Sequence, residues 1–544
     1  MPGFVRQVKP GDGLEHREVD ARPWVFEREG TMRHNALALA LVLTLGAAFP
    51  MQAQAQTPAP VSAAAPAPST LEDAIPIIDA AFDRWQAAAH APGLVYGVVQ
   101  DGRIIHLRTA GIRTVDGPAV TPDTLFRIAS MSKAFTALAI LKLRDEGRLS
   151  LDDLAETHVP EMANWTYATS DSPRIRVRDL LNHTGGFVTD DPWGDRQQVI
   201  TEGEFTRMLT DGVPFTRAPQ MAFEYSNFGY ALLGRIVTNV SGRPYNEYIE
   251  AEIMRPLGMT SSGYDIFASP LERRAIGYRW ENDAWSREPD MRHGVFGSMG
   301  GVQTSAEDYA RWITFLLSAW PARDDPETGP VRRSTVREMA QGSNFVSSRS
   351  RTGADGQPCP GAGAYGMGLQ ANTDCEIGAF LAHGGGYPGY GSYMILMPDR
   401  RTGLFAFSNR TYAGPSGPLL EAASTLVRGG LAPVRPLATS DILAERYLDL
   451  GRIWAAGDVS VADDRLAMNF LMDRSVENWR TVLGALRTDA GACAADAPIT
   501  ATGGLSGTFR WTCDKGVIDG RLLLAPTAPV TIQALNFRFT PTPQ

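Results

Sequence analysis

The sequence predicts an α+β protein: an α/β sandwich with a central antiparallel sheet and a helical lobe, followed by a small C-terminal α+β domain. Three observations carry this. Paired apolar runs stand at two distant places, "GLVYGVVQDGRIIHLRTAGI" at residues 93–112 and "GSYMILMPDRRTGLFAFSN" at residues 391–409. Between them the apolar spacing is mostly helical, so one sheet built from both ends of a domain carries an inserted lobe, with a cleft between the two. Beyond "GGLAPVRPLATS", Gly429–Ser440, the pattern restarts with helices and finishes in strands.

In chain order, residues 1–31 are charged and patternless. From Met32, "MRHNALALALVLTLGAAFPMQAQAQ" has a basic start, an apolar run from Ala36 to Ala48 and an Ala53-Gln54-Ala55 cleavage-like site, the pattern of a signal peptide over residues 32–55. The run is about 13 residues, against roughly 20 for a membrane span. A signal peptide should begin a chain, so residues 1–31 read as an upstream extension from a mis-assigned start. Residues 56–69 form an Ala/Pro-rich linker that cannot bury a core.

The main domain is expected over residues 70–430. It opens with a helix, "LEDAIPIIDAAFDRWQAAA", and a hairpin turning at Asp101-Gly102, a dipeptide suited to the left-handed positions of a tight turn. Helices are predicted at Ser132–Glu146, Gly229–Val240 and Ala306–Ser318, the last started by Thr304 and Glu307 as a capping box. Residues 440–544 form the second domain, with helices near Ile442–Ala456 and Val476–Arg487 and strands at "GTFRWTC", "VIDGRLLL" and "TIQALNFRF". Its outline faintly resembles cystatin-like modules. The four cysteines form two locally spaced pairs, Cys359 with Cys375 and Cys493 with Cys513, which an exported chain would oxidise to short-loop disulfides. Their spacing suits no zinc site. A formal net charge of -9, with acids and arginines mixed along the chain, leaves no basic stripe for a nucleic-acid backbone.

Only four of the 51 basic side chains are lysines, and one, Lys133, stands in "IASMSKAFT". Arginine stays charged in any protein setting, whereas a buried lysine can become a neutral, proton-accepting amine. Ser130 and Lys133, three apart at a helix start, emerge on one face and form a Ser-Lys activated nucleophile. Taken alone, the pair is equally a capping serine beside a solvated lysine. Tyr225 and Asn227, in "FEYSNFGY", offer a phenol for proton transfer and an amide to orient a carbonyl; an aromatic core residue before a helix is the bland alternative. His383 begins "HGGGYPGYGS", whose glycines Gly384, Gly385 and Gly386 let a ligand backbone approach a strand edge. His183, in "LLNHTGGF", competes with it.

Together, "SMSK", "YSN" and "HGG" resemble, in that order, the motifs of the serine β-lactamase and penicillin-binding protein superfamily, in particular its class C β-lactamase-like branch with DD-peptidases, D-aminopeptidases and esterases. The resemblance extends through "RDLLNHTGGF", "IMRPLGMTSSGY" and "GGVQTSAEDYARW", and covers Leu71 to Arg428. It implies Ser130 as the acylated nucleophile, Lys133 and Tyr225 as the proton-transfer pair and Asn227 as a substrate-orienting amide. His383, Gly384 and Gly385 would then face the substrate, and the backbone N–H groups of Ser130 and Gly386 would form the oxyanion hole. Linear order leaves His183 outside the catalytic set.

Where class C β-lactamases resemble one another in having Lys-Thr-Gly, this chain has a histidine, mostly uncharged near neutral pH, so recognition of a β-lactam carboxylate should be weaker. Relatives with histidine there include DD-carboxypeptidases and D-aminopeptidases. The resemblance thus implies a periplasmic or secreted serine hydrolase acting on small amides or peptides, D-residue peptides among them. The alternatives are an esterase, a weak β-lactamase, or a penicillin-binding sensor that acylates without turnover. The chemistry calls for no metal and no cofactor; the expected partner is a small-molecule or peptide substrate, with no nucleic acid and no membrane span. Nothing in the pattern fixes an oligomeric state.

Overall fold

The computed structural model describes residues 67–189 and 194–542. The expected upstream extension and signal peptide, and nearly all of the Ala/Pro-rich linker, lie outside the described residues. Helix α1 (Leu71–Ala89) starts where Thr70 accepts the Asp73 N–H. Strands β1 (Gly93–Gln100) and β2 (Arg103–Gly111) follow, joined by Asp101 and Gly102 at φ 50° and 78°. Positive φ at both turn residues matches the right-handed twist of the strands they join.

The chain then builds a helical lobe that includes α2 (Lys133–Asp145), α3 (Asn227–Ser241) and α4 (Ala306–Leu317). Helix α2 is buried on nearly every side, from Lys133 to Leu143, which is what an all-round apolar helix requires. Capping of α4 differs from expectation: Ser305, not Thr304, is the N-cap, and its hydroxyl accepts the Asp308 N–H. Thr304 is drawn into a two-residue strand paired with Phe126, which shifts the helix start by one residue.

Strands β3 (Asn344–Thr352), β4 (Pro358–Tyr365), β5 (Gln370–Asp374), β6 (Gly378–Tyr387), β7 (Tyr390–Met397) and β8 (Thr402–Ser408) complete one eight-stranded sheet in the order β2-β1-β8-β7-β6-β5-β4-β3. Every pairing in it is antiparallel. As expected, strands from both ends of the domain share the sheet. The wing β3–β5 was not foreseen, because β3 runs through exposed serines and arginines with no apolar face. Helices α1 and α5 (Ser416–Arg428) cover one face of the sheet through Ile78, Phe82, Leu419 and Leu426, and the lobe covers the other. With both faces packed, β1 is buried almost throughout and reads as a continuous apolar run.

After an irregular stretch, α6 (Asp441–Ala456) and α7 (Val476–Ala490) pack on a separate four-stranded antiparallel sheet, β9 (Thr500–Gly503), β10 (Ser506–Cys513), β11 (Gly516–Ala525) and β12 (Thr531–Pro541). Its core centres on fully buried Trp511, whose indole N–H donates to the Tyr447 hydroxyl at 2.8 Å. Both expected cysteine pairs are bonded, Cys359–Cys375 and Cys493–Cys513. Among the described residues no helix is long and apolar enough to cross a membrane.

Candidate active site

Ser130 lies in a short 3-10 turn, Ala129–Ser132, that feeds directly into α2. The residue before it, Ala129, has φ 48°. Left-handed backbone costs a residue bearing a Cβ about 1–2 kcal/mol, and such strain is held only where neighbours over-determine it. Here the Ser392 hydroxyl donates to the Ile128 carbonyl at 2.8 Å, and the Val302 N–H donates to Ser132 Oγ at 3.0 Å. Strand β6 supplies the third wall. A Cβ on Gly385 would stand 2.3 Å from the Ile128 oxygen and 2.2 Å from Ser392 Oγ, so only glycine lets the strand lie against the Ser130 turn.

Lys133 is wholly buried. Its Nζ lies 2.8 Å from Asn227 Oδ1, 2.9 Å from the Met299 carbonyl and 3.1 Å from Ser130 Oγ. Asn227 opens α3, whose N-cap Ser226 accepts the Gly229 N–H. The half-buried Tyr225 precedes it and puts its ring centroid 4.8 Å from Nζ, with the Tyr230 ring at 5.4 Å. The first two sequence motifs therefore converge on one ammonium-sized seat. Ser130 and Tyr225 keep partial solvent access.

The third motif places the His383 ring 6.4 Å from that of Tyr225. His383 is 2% exposed, and both ring nitrogens are engaged. Its Nδ1–H donates to the Gly384 carbonyl at 2.7 Å, which leaves Nε2 to accept the Tyr365 O–H at 2.9 Å. Burial first, then the Lys133 charge, pull its pKa down to about 4, so the ring is neutral near pH 7. The resemblance implies a side chain facing the substrate; here both ring nitrogens are taken by Gly384 and Tyr365. The glycines behave otherwise. Pairing of β6 with β5 stops at Ala382 and Gln370, so residues 384–386 have no strand on that side among the described residues. Tyr387 and Tyr390 close the Pro388-Gly389 turn, and counting back along the ladder turns the Gly384 and Gly386 backbone groups away from β7, toward the open edge.

Three contributors carry no signal in the sequence. The Met299 oxygen is a backbone atom, for which "GSMGG" carries no side-chain signal. Tyr365 and Tyr230 are single tyrosines with no motif of their own. His183 was weighed and set aside by linear order, yet its ring lies 4.3 Å from that of Tyr225. For metals, the one group of possible ligands among the described residues is Cys359, Asp374 and Cys375, and both sulfurs are already spent in a disulfide.

An antiparallel sheet backing a helical lobe, with a partly exposed serine beside a buried lysine at their junction, defines the class: a β-lactamase/transpeptidase-type fold. Residues 78–427 match the Beta-lactamase family model, and the chain belongs to that family. It is 29% identical over 339 residues to protein flp of Staphylococcus aureus strain COL, covering 61% of this chain and 62% of flp. With the D-alanyl-D-alanine-carboxypeptidase/endopeptidase AmpH of Escherichia coli K12 it shares 28% identity over 350 residues, 62% of this chain and 85% of AmpH. Among solved structures, the octameric penicillin-binding protein homologue from Pyrococcus abyssi shares the fold at a TM-score of 0.55 and 20% identity, over 85% of this chain and 99% of that one.

Proposed function

We propose that the chain is an exported serine hydrolase that cleaves amide or peptide bonds, those of D-residue peptides included, through an acyl-enzyme on Ser130. The observation that carries this reading is the seat of Lys133. Two of the hydrogen-bond neighbours of Nζ, Asn227 Oδ1 and the Met299 carbonyl, can only accept. A neutral amine has two N–H bonds and one lone pair, so once those acceptors are served the lone pair is left for the Ser130 O–H; an ammonium fills the same three positions with donors. The seat fits the lysine before and after it takes a proton.

In this chemistry Lys133 removes the Ser130 proton as Oγ attacks the substrate carbonyl, and the developing oxyanion is held by the N–H groups of Ser130 and Gly386. The proton passes through Lys133 and Tyr225 to the leaving group, the scissile bond breaks, and Ser130 is left acylated. Water, deprotonated by the same pair, then releases the acid and restores the serine. Asn227 orients both Lys133 and the substrate carbonyl. The open β6 edge favours an extended substrate whose main chain pairs with Gly384 and Gly386.

A second reading, esterase activity, is favoured by His383, which offers neither charge nor a free donor to a substrate carboxylate. The same feature disfavours efficient β-lactam turnover. The similarity to AmpH, a D-alanyl-D-alanine-carboxypeptidase/endopeptidase, supports the peptide reading. Paired cysteines support export. The test is a panel of p-nitrophenyl esters, D- and L-amino-acid anilides and a chromogenic cephalosporin, run on wild type and Ser130→Ala. A loss of about 10³-fold or more in the variant is expected; equal rates for the two proteins would remove Ser130 as nucleophile.

A further inference from the structure

His183 stands outside the three motifs in linear order, but it grips the middle one from both sides. Its carbonyl accepts the Glu224 N–H at 2.9 Å, and its Nδ1 accepts the Ser226 N–H at 3.0 Å, so the two bonds bracket Tyr225. The imidazole ring lies 4.3 Å from the Tyr225 ring, tilted by 35°. Because Nδ1 accepts, the proton of the neutral ring sits on Nε2, which is buried and meets no acceptor among the described residues. Burial, the Lys133 charge and His383 all oppose protonation of the ring. His183 also has φ 61°.

A buried donor without an acceptor and a left-handed backbone both destabilise the fold. For packing alone, histidine is a poor choice at this place. What the ring supplies that an apolar residue cannot is the acceptor for Ser226, the N-cap of α3, one residue after Tyr225 and one before Asn227.

We propose that His183 is a positioning residue that sets the Tyr225 phenol relative to Lys133 by holding the backbone on either side of that tyrosine. This rests on the reading of Tyr225 as a proton-transfer group, and the experiment separates the two. The full chain is assayed for p-nitrophenyl acetate turnover as wild type, Tyr225→Phe, His183→Phe, His183→Asn and the double variant His183→Phe/Tyr225→Phe, with thermal melts for each. Asparagine tolerates positive φ, and its Oδ1 can take the place of Nδ1 as acceptor.

His183→Phe is expected to lower kcat roughly 10- to 100-fold with KM little changed, the scale of a misplaced catalytic group. His183→Asn should stay within about threefold of wild type, and the double variant should be no slower than Tyr225→Phe within about twofold, because His183 acts only through the tyrosine. Losses that multiply in the double variant, or a well-folded His183→Phe with full kcat, would overturn the proposal. If His183→Phe does not fold, His183→Asn decides: near-normal turnover upholds the acceptor role, and a folded protein as slow as Tyr225→Phe refutes it. Failure of both to fold would assign His183 to the fold alone and equally refute it. Normal turnover in Tyr225→Phe would instead count against the role given to the tyrosine.

Discussion

The two sheets of this chain treat their interiors in opposite ways. Around Trp511 the C-terminal sheet packs ring against ring: Phe509 at 4.6 Å, Trp454 at 5.4 Å and Phe537 at 6.1 Å between centroids. Along β6 the large sheet removes side chains altogether at Gly384–Gly386 and buries a lysine and two histidines beside the gap. One region spends its burial on packing. The other gives up packing to hold polar groups in fixed directions, the mark of a site rather than a core.

That contrast can be broken most severely at Lys133. Lys133→Arg conserves charge but cannot yield a lone pair, and its longer, planar head must enter a seat closed by Asn227, Met299 and Ser130. Labelling of Ser130 by a fluorescent penicillin is expected to slow by about 10³-fold or more. Retained labelling would mean that Tyr225 or another group is the base. No comparable loss of labelling is expected from any single change in the C-terminal sheet.

Acid should separate the two regions next. His383 has its pKa drawn from 6.5 to about 4 in the folded state, so between those values the unfolded chain binds a proton that the folded chain refuses. The stability this gives is complete above about pH 6.5 and is lost as pH falls toward 4, up to about 3 kcal/mol. His183, shifted the same way by burial, Lys133 and His383, adds to it. Residues 440–544 contain no histidine. Calorimetry at pH 7 and pH 5 should therefore lower the transition of the large domain and not, by this mechanism, that of the small one.

Two glycines test the contrast at smaller scale. A Cβ on Gly385 would meet the Ile128 carbonyl at 2.3 Å, and one on Gly520 would meet the Phe509 ring at 2.0 Å. Each alanine variant should lose about 1–3 kcal/mol of stability in its own domain. Only Gly385→Ala should also cut ester turnover, since it pushes on the Ser130 turn. Smallest of all, Ser305→Ala and Ser475→Ala each remove an N-cap, one on α4 and one on α7. A loss of about 1 kcal/mol is expected from each, read in separate melting transitions.

Much of this was legible in the sequence where the signal is local. The Asp101-Gly102 turn, the helix after Lys133 and the alternation in "GTFRWTC" each encode their element within a few residues. The strands β3–β5 were not, because a wing with polar, exposed positions carries no apolar rhythm. At the site, the motifs named the residues that converge on Lys133, since their side-chain chemistry is written in their letters. They did not give the Met299 oxygen, a backbone atom, nor the bonding of both His383 ring nitrogens, which depends on Tyr365 arriving from another strand. Nor does linear order say that the His183 ring lies 4.3 Å from that of Tyr225.

The open edge of β6 also bears on how this chain behaves among copies of itself. A row of unpaired strand groups is a template on which another chain can grow a sheet. Here the stretch without a neighbouring strand is only Gly384 to Gly386, with Gly385 itself buried, ended by the Pro388-Gly389 turn on one side and by the last β5 pairing on the other. Glycines supply no side chains to interlock with a second sheet. Three bare residues are too few to seed a fibre.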